Sequence, residues 1–252
     1  MQYGLQLFSV RDIAQRDYGE MLFRVAEMGY RRVEPAGFFA NDAREVAAML
    51  ERNGLAVNGA HINPDVLFGQ FNETLTYLQT IDCKDIVLPW VYYETAKELE
   101  QSIKNIHAIT PTLEKEGMRL HFHNHWEEMR PNKDGQITVE ELAKNTDILF
   151  ELDTFWAFDA GVDPIQWMEK RCDRIRMIHI KDGFVQDFAD PKSHAKGMSL
   201  GLGEAPVKEV RRKAIELGFD IIVESEGLEP TGLEEVKRCI DYLREQDAKD
   251  GI

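Results

Sequence analysis

The sequence predicts an α/β protein of the (β/α)8 TIM barrel class, a single domain over residues 1–252. Three observations predict it. Short apolar runs alternate with amphipathic, helix-length stretches from one end to the other, the pattern of right-handed βαβ units and a parallel sheet. Eight such units fit into 252 residues. The first run is followed by SVRDIAQ, not by the GxGxxG that a doubly wound open sheet usually carries there.

The first strand is expected over Tyr3 to Val10, and a helix from Tyr18 to Met28 that stops at Gly29. RRVEP at 31–35 is the second strand, followed by an amphipathic helix from Asp42 to Arg52 ending at Gly54. LAVNGAHI at 55–62 reads as the third strand and 66–80 as its helix. DIVLPW at 85–90 is the fourth; the helix after it, Thr95 to Glu116, carries Pro111, where a kink is expected. MRLHFHNH at 118–125 is the fifth strand, with a short helix at 138–145. DILFELD at 147–153 is the sixth, with a helix at 163–171 started by Asp163-Pro164. RIRMIHIKD at 174–182 is the seventh strand, followed by a loop at 183–204 and a helix at 206–217. FDIIVESE at 219–226 is the eighth, and Leu233 to Glu245 the last helix.

Composition narrows the partners. The net charge of -15 repels phosphate backbones, so nucleic acid is not expected. No segment reaches the roughly 18 apolar residues of a membrane span. Cys83, Cys172 and Cys239 are odd in number and widely spaced, and read as reduced thiols. With no basic leader or long apolar stretch at its start, the chain is expected in the cytoplasm, acting on a small molecule, with room for a homo-oligomer.

In a barrel of this class, chemistry sits at the C-terminal ends of the strands. His121, His123 and His125 alternate along the fifth strand and share one face if it is regular. Asp153, His179 and Glu224 stand at comparable points near the ends of the next three strands. Converging imidazoles and carboxylates form a divalent-metal site with titratable groups beside it. The alternative is a polar interior in which the histidines satisfy one another; His121, the deepest, fits that role. Glu151 faces inward with Asp153, and burying both without a cation costs several kcal/mol each. Lys181, beside His179, suits an oxyanion or a pairing with Glu151 or Asp182, and Glu226 is expected to be solvated. Glu34, His61 and Trp156 are further substrate-binding candidates at strand ends, Trp156 through its flat face to a sugar ring. Gly201 and Gly203 offer a weak backbone phosphate site.

HNH, ELDTFWAFDAG, HIKD and GLGEAPV, in this order and spread over nearly the whole chain, resemble the xylose isomerase-like TIM barrels, whose members include sugar phosphate isomerases and epimerases. The resemblance implies one divalent ion (Mn, Co, Zn or Mg) held from the last four strands. Matched by motif, its ligands are Asp153, His179 and Glu224, with His123 where the epimerases often carry a glutamate. It also implies a metal-dependent isomerase or epimerase acting on a keto-sugar or polyol-derived ketone through an enediolate. Glu224, Glu151 or His125 would move the proton. The alternatives are a lyase or dehydratase of an inosose or 3-keto-glycoside at the same site, and a sugar-binding barrel without catalysis.

Overall fold

The computed structural model describes residues 1–252. Its strands are β1 (Gly4–Gln6), β2 (Arg32–Glu34), β3 (Ala56–Val57), β4 (Ala60–His61), β5 (Asp85–Leu88), β6 (Arg119–His123), β7 (Leu149–Asp153), β8 (Ile175–Ile180), β9 (Asp182–Phe184), β10 (Lys196–Met198) and β11 (Asp220–Val223). Nine of them form one parallel sheet in the order β3-β2-β1-β11-β8-β7-β6-β5-β4. The two ends of that list are consecutive in the chain, separated only by Asn58 and Gly59. The sheet therefore closes on itself as a barrel whose third strand is broken in two. Asn58 N–H donates to Val33 and His61 N–H to Pro35, which carries the ladder across the break.

The helices ring this sheet. Local signals fix several of them. The helix Ala43–Asn53 opens with a reciprocal Asp42/Glu45 cap and ends at Gly54, whose φ of 62° is the left-handed turn glycine accepts most readily. Thr95 and Glu98 cap Ala96–Lys115 in the same way. That helix runs through Pro111 because its buried face, Leu99, Ile106, Ile109 and Leu113, holds it against the sheet. Outward-facing strand residues such as Phe122, Phe150, Ile178 and Ile180 join the main apolar core under the helices. Val87, Met177 and Ile222 form a separate, small apolar cluster. Met177 and Ile222 lie two residues before the inward His179 and Glu224, and Val87 is registered with His121, so all three face inward and fill the barrel interior.

Several elements differ from expectation. The first strand stops at Gln6, whose side chain accepts from Phe8 N–H and starts a 3-10 turn over Leu7–Val10. The helix expected at 66–80 is two, Pro64–Gly69 and Phe71–Thr80, because Gln70 leaves helical geometry at φ -130°, ψ 45°. An extra helix, Thr154–Asp159, follows β7 directly, capped by Asp153. The loop expected at 183–204 contains an antiparallel hairpin, β9 with β10. The last helix extends to Asp250. Its end locks the base of the barrel: Tyr3 O–H donates to Asp247 Oδ1 at 2.5 Å, and the buried Arg211 pairs with both Asp247 and Asp250. No helix is long and apolar enough to cross a membrane. Cys83 and Cys239 are buried, Cys172 is exposed, and all three are free thiols.

Candidate metal centre

Strand register builds the site. His123 on β6 stands opposite Glu151 on β7. A register shift between Phe150 and Glu151 then sets Asp153 opposite His179 on β8. His179 in turn faces Ile222 on β11, so Glu224, two residues on, projects to the same side just past the strand end. One ligand atom from each of His123, Asp153, His179 and Glu224 lies within 4.8 Å of the others.

A second group lies alongside and shares both histidines: His61, His123, Glu151 and His179 meet under the same 4.8 Å limit. Glu151 Oε2 is 2.8 Å from His61 Nε2, 3.1 Å from His123 Nδ1 and 3.2 Å from His179 Nε2. Glu34 Oε2 is 2.6 Å from His179 Nε2 and accepts from Gln6 Nε2 at 2.8 Å. His179 thus turns Nε2 toward Glu34 and Glu151, and Nδ1 toward Glu224 Oε2 at 3.3 Å. His123 likewise gives Nδ1 to Glu151. Carboxylates that receive one nitrogen of an imidazole fix its tautomer and leave the other nitrogen available.

The charges follow from this contact pattern. Burial opposes ionisation of Glu151, but His179 and His61 outweigh it and hold the carboxyl well below the usual range. Burial opposes charge on His61 too, and there Glu34 and Glu151 prevail, lifting it to about 9. Burial also works against Glu224, yet Lys181 and His179 keep it ionised. Asp153 goes the other way: burial raises it to about 7, against the pull of Lys181. Burial holds His123 neutral, well below the ordinary histidine value. His125, whose side chain is 36 % exposed, is lowered to about 4 chiefly by the enclosure around it, with Glu224 opposing and Lys181 adding to the drop.

Asp153 Oδ1 accepts from Trp156 N–H, while Oδ2 is buried without any partner, as are Glu34 Oε1 and Glu151 Oε1. A buried carboxylate oxygen left unpaired is costly. Two imidazoles and two carboxylates at one point, one of the carboxylates with its oxygen orphaned, fit a divalent cation, and imidazole ligands favour Mn, Co or Zn over Mg.

The remaining sequence candidates distribute around this cluster. Glu34 and His61 lie within it, whereas His121 lies below, paired with Asp85 Oδ1 at 2.7 Å. His61, His123, His125 and Glu224 open onto a cavity of about 630 Å3, with Phe8, Phe38 and Trp90 on its walls. Lys181 is buried, but its partners are Glu226 Oε1 at 2.6 Å and Glu224 Oε2 at 3.7 Å, not Glu151 or Asp182. Its ammonium also lies 4.2 Å from the Trp156 ring centre. Glu226 is consequently tied down and only partly solvated.

The glycines provide no phosphate cradle. Gly201 and Gly203 donate their N–H groups to Asp182 Oδ2 at 2.8 and 3.0 Å, and Ala205 donates to Oδ1. Asp182 already supplies the anion. Sequence reasoning missed this role, and also that of Asn124, whose side-chain amide bonds both backbone groups of Asp153. It missed Gln6 as well, although a glutamine between Leu5 and Leu7 in a buried first strand is a signal for an inward polar contact.

Comparison with known proteins agrees with this architecture. A family model described as xylose isomerase-like TIM barrel matches residues 22–246. An inosose dehydratase of Geobacillus kaustophilus is 25% identical over 200 residues, covering 65% of this chain and 61% of that protein, so the match spans less than two thirds of the curated relative. A sugar phosphate isomerase/epimerase structure from Parabacteroides distasonis superposes with a TM-score of 0.81 at 23% identity, covering 96% of this chain and 97% of the other. A probable 3-DHS dehydratase from Bacillus anthracis, involved in petrobactin synthesis, gives 0.75 at 14% identity over 97% and 99%. At these identities the two structures speak for the fold alone. With the family model matching most of its length, the chain belongs to the xylose isomerase-like TIM barrel family.

Proposed function

We propose that the protein is a metal-dependent enzyme that removes a proton beside the carbonyl of a keto-sugar or polyol-derived ketone and returns it as an isomerase or epimerase. The observation that carries this reading is the convergence of His123, Asp153, His179 and Glu224 within 4.8 Å at the cavity floor, with Asp153 Oδ2 unpaired. His123, Asp153, His179 and Glu224 would hold a divalent ion there, and it would supply Lewis-acid chemistry to the carbonyl and the adjacent C–H.

The surrounding residues divide the remaining work. Glu34 and Glu151 receive ring nitrogens of His179 and His123 and set their orientation. Glu224, held ionised by Lys181 and His179, suits a ligand. His125 is the group that moves the proton: it is neutral, lines the cavity, and the carboxyl group beside it, Glu128, is 3.9 Å from Nδ1. The proton leaves carbon for the imidazole and its electron pair moves onto the carbonyl oxygen. Return by His125 to the neighbouring carbon, with the hydroxyl proton passing from one oxygen to the other, isomerises the substrate; epimerisation needs a second donor, such as Glu151, to protonate the same carbon from the opposite face.

A second reading, a lyase or dehydratase, is favoured by the same histidine. The imidazolium formed by the first transfer stands in the cavity ready to protonate a departing β-substituent. The identity shared with an inosose dehydratase supports it as well. Elemental analysis of the purified chain is expected to find about one divalent ion per molecule, and far less in Asp153→Ala. Equal content in the two defeats the ligand assignment. Hydrogen exchange with D2O on a panel of ketoses and keto-glycosides then narrows the substrate, and assaying the products for loss of water or aglycone, against simple rearrangement, separates the two readings.

A further inference from the structure

A second cavity, of about 380 Å3, adjoins the first; Trp90 and His125 line both. Its volume falls within the range of ligand pockets, roughly 300–1,000 Å3. Three of its walls are indoles. Trp90, Trp126 and Trp156 stand just beyond the ends of β5, β6 and β7, so three consecutive strands each deliver a tryptophan to the mouth. All three are only partly buried, whereas the fourth tryptophan, Trp167, sits in the core. The Trp156 indole N–H is enclosed and has no partner.

Positive charge is confined to one side of these cavities, since His61, lifted to about 9, lines the first and no cationic group lines the second. No lysine or arginine lines either of them. Lys181 is committed to Glu226, and the nearby Arg130 guanidinium lies 4.1 Å from the Phe188 ring centre. The acidic groups present are Glu127 and Glu128 in the aromatic cavity, both pushed up by burial, Glu128 to about 7, and Glu224 and Glu226 in the other. Glu128 is 2 % exposed and accepts the N–H of His125. The flat, electron-rich walls of the aromatic cavity, with acidic groups and no cation among them, receive a neutral ring and offer an anion no charge partner.

We infer that the substrate is a keto-sugar joined to a flat, uncharged ring, the sugar over the histidine–carboxylate cluster and the ring in the tryptophan-lined cavity, with His125 between the two. This rests on the functional reading above and names the substrate class within it. It also sets this chain apart from enzymes that hold a phosphate ester, because the glycine amides that would do so are bonded to Asp182.

The test is calorimetric titration of the metal-loaded full chain with the methyl, phenyl and 4-carboxyphenyl glycosides of one 3-keto-hexose. The phenyl compound is expected to bind about ten-fold more tightly than the methyl compound, the size of one good aromatic contact. The carboxyphenyl compound is expected to bind more weakly than the phenyl one. Trp126→Leu should bring the phenyl-to-methyl ratio to within about two-fold. Equal affinities in the parent protein, or tighter binding of the carboxylate, overturn the inference whether or not the variant folds. Exchange of the methyl glycoside C–H with D2O without an aryl preference defeats this inference alone. If no glycoside binds or exchanges while the metal stays bound, the functional reading falls and this inference falls with it.

Discussion

Glu151 Oε2 faces three imidazole nitrogens at 2.8, 3.1 and 3.2 Å, and its second oxygen has no partner. Replacing it by an amide halves its accepting capacity and sets an N–H2 group among N–H donors. Glu151→Gln is therefore expected to weaken metal affinity about 10- to 100-fold, the usual effect of losing a carboxylate behind a ligating histidine. His125→Ala is expected to do the reverse: metal content unchanged, and substrate C–H exchange slowed by roughly 10²- to 10⁴-fold. Metal titration and exchange rates on both variants check the pair; a metal-deficient His125→Ala protein would remove that residue from the proton-transfer role. The alternation in HFHNH, ELD and HIKD made the inward residues legible, since period two is set by strand geometry alone. It was silent on how each imidazole divides its two nitrogens. That depends on strands β1 and β2, which are distant in sequence and supply Gln6 and Glu34.

At the level of elements, the segment after β8 shows how a single side chain organises a loop. Asp182 receives the N–H groups of Gly183, Gly201, Gly203 and Ala205. A Cβ on Gly203 would lie 2.3 Å from Asp182 Oδ1, so that close approach requires glycine. Asp182→Ala leaves several amides unpaired and is expected to cost at least about 2 kcal/mol, read from denaturant midpoints, with faster proteolysis between residues 183 and 205. A midpoint equal to the parent's would show that water replaces the carboxylate. Gly201 and Gly203 suggest a weak phosphate site because glycine-rich turns and anions go together. The anion proves to be internal, and no local pattern announces a carboxylate some twenty residues upstream. Helices, by contrast, were legible wherever their caps were: Asp42 with Glu45, Thr95 with Glu98, and Gly54 at a left-handed turn. The break at Gln70 carries no such mark.

For the whole molecule, alternating units gave the barrel because a parallel sheet of eight positions in this length has few other ways to bury both faces. Its lower end is held by charge. Burial opposes ionisation of Asp85, but Arg119 and His121 overcome it and hold the carboxyl at about 2, below its ordinary 3.8. A lowered folded-state value means stability that is complete above about pH 4 and lost as pH falls through 2. Denaturant midpoints measured from pH 5 to 2 are expected to fall less steeply in Asp85→Asn than in the parent; parallel curves would assign the acid sensitivity elsewhere. The break at Asn58 and Gly59 has a wider consequence. A hoop yields first at its joint, and here the joint is two half-strands, each registered to its neighbour through only two residue pairs. His61 ends the second half-strand and reaches Glu151 three strands further round. Glu151, which gathers His61, His123 and His179, acts as a rivet across the joint, so whatever strengthens that gathering also holds the ring shut.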